Sequence, residues 1–314
     1  MYSKLKFVSA ALVITLSIFS CSKHNDIDTT PQPELFDTLG QGWQRIKIDT
    51  TLNFDDVFFI NNQTGFLCGD NYLGKSTDGG LSWQRIIPDS LNEGFINLFF
   101  ADAGNGWVTG ANFLLRTRDG GLSWQKAYKG DTYDVQFFDA NNGYITTYTN
   151  GTVCKTTDGG VTLQPVNNVT AHSLFFLDQN RGWFSGSYLY KTIDAGASFS
   201  TIGGAIQFQD YAMQFTDSLH GWIGGPVIYR TVDGGATLET LISDASSGGD
   251  IQFFDASNGY ILSGNKIYST ADGGKTLNQL CAIHKSQLYE FHFTDASHGW
   301  ATGSGGYVYK YVKP

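Results

Sequence analysis

Short apolar runs alternate with turns rich in glycine and aspartate along most of the chain. Runs of about five residues bounded by such turns are typical of β-strands rather than helices. In one representative unit the predicted strands are Asn97–Ala101, Gly106–Gly110, Phe113–Thr117 and a fourth that starts near Ser123. The unit therefore predicts four antiparallel strands joined by tight turns.

Two interleaved motifs show that this unit repeats. The first is Thr/Ser-x-Asp-x-Gly-x-Ser/Thr followed by an aromatic residue or Leu, and its aspartates are 36 to 41 residues apart. These aspartates are Asp78, Asp119, Asp158, Asp194, Asp233 and Asp272. The second motif is Phe, five residues, then Gly-aromatic, in seven copies spaced by 37 to 41 residues. Its glycines are Gly65, Gly106, Gly143, Gly182, Gly221, Gly259 and Gly299.

A four-stranded unit of about 40 residues is typical of a propeller blade. The N-terminal segment Gly42–Ile46 matches the fourth-strand segment Ser82–Ile86, whereas the last copy ends after a third strand. We therefore expect an all-β, seven-bladed propeller of four-stranded antiparallel blades. Its ring would be closed by the N-terminal strand, which completes the C-terminal blade and removes exposed sheet edges.

The first motif has a structural explanation. Its glycines permit backbone angles that side chains disfavour, and its Asp can accept N–H bonds across its own turn. We therefore interpret the six motif aspartates as structural. Their even spacing around the predicted ring argues against catalysis or calcium binding.

The turn motif resembles the Asp-box, or bacterial neuraminidase repeat. Together the two motifs are similar to the photosystem II stability and assembly factor-like propeller family, over residues 42–313. Photosynthetic members of that family are assembly chaperones in the thylakoid lumen that bind membrane-protein subunits. The resemblance thus implies a propeller fold, a structural Asp-box and a binding role.

Composition excludes several classes of protein. Of 314 residues 38 are Gly, aromatic residues make up 15% and charged residues 16%. The hydrophobic content of 41% allows a sizeable core and excludes a disordered chain. The formal net charge of −9 argues against nucleic acid as a partner.

The pattern of the N-terminal residues predicts a targeting signal rather than part of the fold. Lys4 and Lys6 precede an apolar run over 7–19, and Ile18-Phe19-Ser20-Cys21 resembles a bacterial lipobox. We expect a lipoprotein signal peptide over 1–20, lipidation at Cys21, a polar tether over 21–39 and a propeller over 40–314. An ordinary signal peptide or a short anchor is the alternative. The expected location is the bacterial cell envelope, at the outer membrane, on its periplasmic side or at the cell surface.

Three further cysteines, Cys68, Cys154 and Cys281, match no metal or redox spacing. Each lies in a predicted strand, so buried thiols are expected. A disulfide is the alternative, because the envelope would permit one.

The end of the propeller opposite the Asp turns is the candidate binding site. Residues nine and ten before each Gly-aromatic pair, and those between the second and third strands, do not repeat in chemistry. The candidate mouth residues are Asp56, Asp70, Tyr72, Tyr133, Asp134, Tyr148, His172, Tyr188, Tyr211, Asp250, Tyr289 and Glu290. Tyr, His and acidic side chains suit a sugar or a polypeptide segment. The alternative to a binding site is a hydrated mouth that has no specific ligand.

We therefore predict a non-catalytic binding or assembly scaffold for a protein or glycan, monomeric and without cofactor or metal. The alternative is a glycan-active hydrolase of the Asp-box superfamily that uses mouth carboxylates such as Asp134 and Asp250. No nucleophile elbow, zinc motif or phosphate loop is present in the sequence.

Overall fold

A computed structural model of the chain describes residues 39–48, 51–87, 93–203, 212–243, 249–284 and 286–314. The signal peptide, the lipidation site Cys21 and nearly all of the tether lie outside these residues, as does Tyr211. Described residues form β-strands, turns and loops, and among them no helix is long and apolar enough to cross a membrane.

The structure has 27 described strands in six antiparallel sheets, which confirms the all-β class and the four-stranded antiparallel unit. Strands of the N-terminal half are β1 (Trp43–Lys47), β2 (Phe54–Phe59), β3 (Gly65–Gly69), β4 (Tyr72–Ser76), β5 (Gln84–Arg85), β6 (Phe95–Phe100), β7 (Gly106–Gly110), β8 (Phe113–Thr117), β9 (Gln125–Tyr128), β10 (Val135–Phe137), β11 (Gly143–Thr146) and β12 (Thr152–Thr156). Those that follow are β13 (Gln164–Phe176), β14 (Gly182–Gly186), β15 (Leu189–Thr192), β16 (Ser200–Ile202), β17 (Met213–Phe215), β18 (Gly221–Ile223), β19 (Ile228–Thr231), β20 (Glu239–Ile242), β21 (Ile251–Phe253), β22 (Gly259–Ser263), β23 (Lys266–Thr270), β24 (Asn278–Ala282), β25 (Leu288–Asp295), β26 (His298–Gly303) and β27 (Tyr307–Val312).

Four of the sheets contain four consecutive strands each: β2–β5, β6–β9, β17–β20 and β21–β24. A fifth has the order β1-β27-β26-β25, so the N-terminal strand pairs with the C-terminal one, Trp43 opposite Tyr311. The sixth contains seven strands, β10 to β16. In it β13 serves two repeats: Gln164 pairs with Lys155 in β12, and Phe176 pairs with Gly182 in β14. No Gly separates these two halves of β13, so one extended strand replaces the expected turn.

A stacked pair of aromatic rings joins each repeat to the next. The aromatic residue of the Gly-aromatic motif lies on the motif Phe of the following repeat, with ring centroids 3.5 to 4.4 Å apart. The pairs are Phe66–Phe100, Trp107–Phe137, Tyr144–Phe176, Trp183–Phe215, Trp222–Phe253, Tyr260–Phe293 and Trp300–Phe59. Together with the core around them, these rings bury the surfaces at which consecutive sheets meet.

The glycine of the motif gives the Phe ring its place. A Cβ on Gly65 would lie 2.5 Å from the ring of Phe59. Such an approach is far inside van der Waals contact, and every motif Gly has a similar neighbour. Glycine is required there for close approach, and the ring lies flat on its backbone.

Hydrogen bonds from the stacked rings reach the turn between the third and fourth strands of the next repeat, called the Asp turn from here on. Trp107 Nε1 donates to the carbonyl of Gly159 at 3.1 Å, and Trp300 Nε1 donates to that of Gly79 at 2.9 Å. Phe66 has no such donor, and Lys75 Nζ bonds the carbonyl of Gly120 instead, at 2.7 Å. The aromatic position therefore fixes the neighbouring Asp turn as well as the core.

Each Asp turn is held by its own side chains. Asp119 accepts bonds from Ser123 N (2.9 Å), Ser123 Oγ (2.6 Å) and Thr117 Oγ1 (2.7 Å). These bonds, first that from the Ser123 hydroxyl, lower the pKa of Asp119 to about 2. Gly120 and Gly121 adopt φ of 66° and 78°, which Gly tolerates at no steric cost. The same bonds recur at Asp78, Asp158, Asp194, Asp233 and Asp272.

Asp turns share one face of the molecule with the turns between first and second strands. Gly120 N, in one Asp turn, donates to the carbonyl of Gly104 in a first-to-second-strand turn at 2.9 Å. This face is called the Asp-turn face below, and the opposite end is called the mouth. Cys68, Cys154 and Cys281 are buried thiols inside the sheets, as expected.

The stack of Trp300 on Phe59 provides a test of the core. Trp300→Ala removes a ring with no exposed surface, together with its bond to Gly79. We expect the free energy of unfolding to fall by about 3–5 kcal/mol in urea denaturation. The matched control is Trp124→Ala, which removes a half-buried indole that packs edge-on against Phe66 and Phe100 and whose Nε1 has no hydrogen-bond partner among the described residues. An equal loss in both variants would contradict the special role of the stack.

Candidate functional site

Four acidic side chains point inward at the start of the first strands. Three of them bond to the first strand of the following repeat: Asp56 Oδ2 accepts from Leu98 N at 2.6 Å, Asp134 Oδ2 from Leu174 N at 2.8 Å, and Asp250 Oδ2 from Phe291 N at 3.2 Å. The fourth, Glu290, hydrogen-bonds with Asp250. These four residues form what we call the carboxylate tier: Asp56, Asp134, Asp250 and Glu290.

Burial controls the protonation of this tier. It raises the pKa of Asp56 to about 7 and those of Asp134 and Asp250 to about 6, although their bonds from backbone N–H groups act in the opposite direction. Burial, with the charges of Asp250 and Asp56, raises the pKa of Glu290 well above its ordinary value. Glu290 is therefore the proton donor in its bond to Asp250, so the tier carries fewer charges at neutral pH than it has carboxyl groups.

A second set of side chains lies two residues further along the first strands than the carboxylate tier does. Gln252 Nε2 donates to the carbonyl of Phe293, and Phe293 N donates to Gln252 Oε1, both at 2.7 Å. The side-chain amides of Gln136 and Gln214 form the same pair of hydrogen bonds with the backbones of Phe176 and Phe253, respectively. Here a half-buried Gln replaces sheet pairing between neighbouring first strands. The sequence signal for it, a Gln at one register position in three repeats, is visible only once the repeats are aligned.

His292 occupies the same register position as these glutamines. Its ring lies 4.5 Å from that of Phe58, and it bonds the backbone of Phe59. Burial lowers the pKa of His292 to about 4, so the ring is neutral at physiological pH. His292 is thus a structural link to the first repeat and provides no positive charge to the carboxylate tier.

Three of the predicted residues form an aromatic cluster at the mouth. The ring of Tyr133 lies 5.5 Å from Tyr148 and 6.2 Å from His172. Hydroxyl bonds from neighbouring strands fix the backbone: Thr109 Oγ1 donates to the carbonyl of Tyr133 and Thr146 Oγ1 to that of His172. Tyr148 is exposed, while Tyr133 and His172 are half-buried. Tyr133 precedes Asp134 directly, so this aromatic cluster lies beside the carboxylate tier.

The other predicted mouth residues have different surroundings. Tyr72 is buried, and its ring packs at 5.4 Å against Phe54 in the core, so the structure does not present it to a ligand. Asp70 is exposed and accepts bonds from Asn53 N and Nδ2, which ties two loops together. Tyr188 is exposed beside Tyr190, and Tyr289 is half-buried. Among the described residues, no group of three or more His, Cys, Asp or Glu could hold a metal ion.

The raised pKa values predict a pH profile of stability. A carboxyl group whose pKa is higher in the folded state binds its proton more tightly there, so stability falls as pH rises through the window between the unfolded and folded values, here about 4 to 7. Asp134→Asn removes one buried charge and keeps an acceptor for Leu174 N. We expect it to raise the free energy of unfolding at pH 8 by about 2 kcal/mol and to flatten the profile, measured by urea denaturation.

Asp70→Asn is the matched control for this profile, because Asp70 is an exposed mouth aspartate. A change in the pH profile of Asp134→Asn that is no larger than that of Asp70→Asn would contradict a raised pKa at Asp134.

One known protein family matches part of the chain by sequence. Residues 37–132 match the family described as Photosynthesis system II assembly factor YCF48. No curated protein matches the chain by sequence.

Solved structures resemble the chain over most of its length. The structure of YCF48 bound to D1 peptide is 22% identical, with a TM-score of 0.72 over 87% of this chain and 98% of that one. YCF48 from Cyanidioschyzon merolae is 18% identical, with a TM-score of 0.65 over 86% and 98%. The GH74 enzyme of Niastella koreensis is 16% identical, with a TM-score of 0.59 over 80% of this chain and 51% of that one. The chain is therefore a β-propeller protein similar to the photosystem II assembly factor-like family, as its two interleaved motifs predict.

Proposed function

We propose that the repeats close into a ring of seven blades, the last of which is built from both ends of the chain. Pairing of β1 with β27 supports the shared blade. Support for closure comes from Trp300, which stacks on Phe59 and bonds the Gly79 carbonyl, as the other stacked tryptophans do between consecutive repeats. The bond from His292 to the backbone of Phe59 adds a second contact between the last and first repeats.

We propose that this propeller is a non-catalytic binding scaffold whose mouth holds a polypeptide segment. The observation that carries the proposal is the aromatic cluster of Tyr133, Tyr148 and His172 beside the carboxylate tier. Tyrosine offers a large contact surface with a polar end and little rotamer entropy to lose, which suits recognition of extended peptides. A similar propeller, YCF48, has a D1 peptide as its ligand, which supports a peptide rather than a small molecule here.

The chemistry of the mouth suggests features of that segment. Exposed Tyr rings attract Lys, Arg and aromatic side chains, and the acidic balance of the chain attracts cations over a longer range. The aspartates of the carboxylate tier accept backbone N–H bonds and Glu290 bonds to Asp250, so the tier shapes the field at the mouth more than it contacts the partner.

We further propose a monomer anchored by lipid at Cys21 in the bacterial envelope, at the outer membrane. Support for this part is the sequence alone: a charged start, a short apolar run and a Cys after Ser20. A tether of polar residues would then separate the lipid from the propeller.

A glycan-active hydrolase is the second candidate function. In its favour, GH74 enzymes have a similar fold, and a carboxyl of raised pKa such as Glu290 has the character of a general acid. Against it, Glu290 bonds directly to Asp250, whereas glycosidase carboxyls stand about 5–9.5 Å apart to admit the sugar. Binding is therefore the better supported function.

Peptide binding can be tested with a phage-displayed library of random dodecapeptides. For a peptide selected on the full chain, Tyr133→Ala or Tyr148→Ala should raise the dissociation constant at least tenfold, because each removes an aromatic anchor. Phe254→Ala removes a partly exposed ring at the Asp-turn face, and it should change the dissociation constant by less than twofold. Failure to select any peptide, or equal effects of all three variants, would contradict a peptide-binding mouth. Isothermal titration gives the constants.

The hydrolase alternative has a separate test on a panel of envelope and plant glycans. We expect no turnover by the unsubstituted chain, because the paired carboxyls are occupied by each other. Turnover that Glu290→Gln abolishes, with the unfolding midpoint unchanged, would replace the scaffold proposal by the hydrolase one. Reducing-end release is the measurement.

A further inference from the structure

The two ends of the propeller expose different kinds of apolar side chain. At the mouth the large exposed side chains are tyrosines, Tyr148 and Tyr188. Within the part of the chain that the structure describes, every large exposed aliphatic side chain belongs to the Asp-turn face instead. These residues are Leu81, Leu122, Val161, Ile193, Leu219, Val232 and Val312, and we call them the aliphatic rim.

Most of the rim follows the repeat. In the first three Asp turns it occupies the third residue after the motif Asp, as Leu122 does after Asp119. In the next two it occupies the residue before the Asp, as Ile193 does. Leu122 is 81% exposed and Ile193 69% exposed. Each of five successive repeats therefore presents an aliphatic side chain on a rigid turn.

The fold itself does not require these side chains. The turns are held by bonds of Asp, Ser and Thr, and the rim side chains make none of them. In the sixth Asp turn Lys275 stands at the position of Leu122, with the same turn bonds around Asp272. Since polar residues fit equally well, the aliphatic ones carry a cost in solvation that folding alone does not explain.

The chain enters the propeller at this same face. Gly42 accepts a bond from Val312 N at 3.0 Å, and Lys313 N donates to the carbonyl of Ser297 in a first-to-second-strand turn. The first described residues, 39–42, therefore lie at the Asp-turn face. A lipid at Cys21, 18 residues before Leu39, would be joined to this face of the propeller rather than to the mouth.

From these observations we propose that the aliphatic rim inserts into a phosphatidylethanolamine-rich lipid surface, so that the Asp-turn face lies on the membrane and the mouth points away from it. The rim suits lipid better than a protein partner. Protein interfaces centre on contiguous patches with Trp, Tyr and Arg anchors, whereas the rim consists of separate aliphatic side chains, one or two in a repeat. Separate aliphatic groups can each pass the headgroups of a bilayer, and exposed Arg118 and Lys275 lie on the same face for contact with phosphates.

This orientation rests in part on the proposed lipid anchor at Cys21, and the test separates the two. The full chain is purified from the membrane fraction of an expressing bacterium, and mass spectrometry reports its acylation. A fluorescent bimane label is attached at Leu122→Cys in one variant and at Tyr188→Cys, on the mouth, in another. The unsubstituted chain, whose described cysteines are buried, gives the labelling background.

Vesicles of phosphatidylethanolamine and phosphatidylglycerol with brominated acyl chains then quench any label that reaches the hydrocarbon. We expect quenching at least threefold stronger at position 122 than at position 188, with little dependence on salt. Adding Leu81→Ser, Val161→Ser and Ile193→Ser should reduce quenching at position 122 to the level of the mouth label. Adding Tyr148→Ser instead should leave it unchanged.

Equal quenching at the two positions in an acylated chain overturns the rim proposal and leaves the anchor intact. Preferential quenching at position 122 in a chain without acyl groups supports the rim and removes the anchor. No quenching in a chain without acyl groups overturns both. A label at position 122 that lipid does not quench but that becomes shielded on adding envelope extract also overturns the lipid surface, in favour of a protein partner.

Discussion

The stack of one aromatic ring on the Phe of the next repeat is the contact on which the rest of the structure depends. It occurs between every pair of consecutive repeats and again between the last and the first. Its geometry requires a Gly beneath the Phe, and in five of the seven stacks an indole or hydroxyl donates to the Asp turn of the neighbour. The stack therefore links consecutive sheets in the core, and its hydrogen bonds link them at the Asp-turn face.

Much of this could be predicted from the sequence, because the residues that make the stack and the turns are the ones that repeat. The seven Phe and seven Gly-aromatic pairs mark the strands, and the six Asp turns have the side-chain bonds expected of them. The candidate site was less predictable. Tyr72 was expected at the mouth but packs on Phe54, because its strand places the ring on the buried side. A position at the start of a strand does not by itself reveal from sequence which way the side chain points.

Other features escaped prediction for physical reasons. The shared strand β13 depends on the absence of a turn between two repeats, which a motif search does not score. The Gln hydrogen bonds between neighbouring first strands join residues some 40 positions apart in the sequence, and they form only when the strands come together. Protonation of the carboxylate tier depends on burial and mutual repulsion, neither of which a single position reveals. Sequence thus predicts what each repeat does alone, and the structure adds what the repeats do to one another.

The pairing of β1 with β27 has a consequence for how the chain folds during its synthesis. Lys47 lies opposite Tyr307, so the first described strand finds its partner only after the ribosome has added some 260 further residues. Until then the strand stays unpaired and its edge open, while the intermediate sheets can already form from neighbouring segments. The slowest contact to form is therefore the one between the ends. The structure therefore cannot be completed before the last residues of the chain have been made.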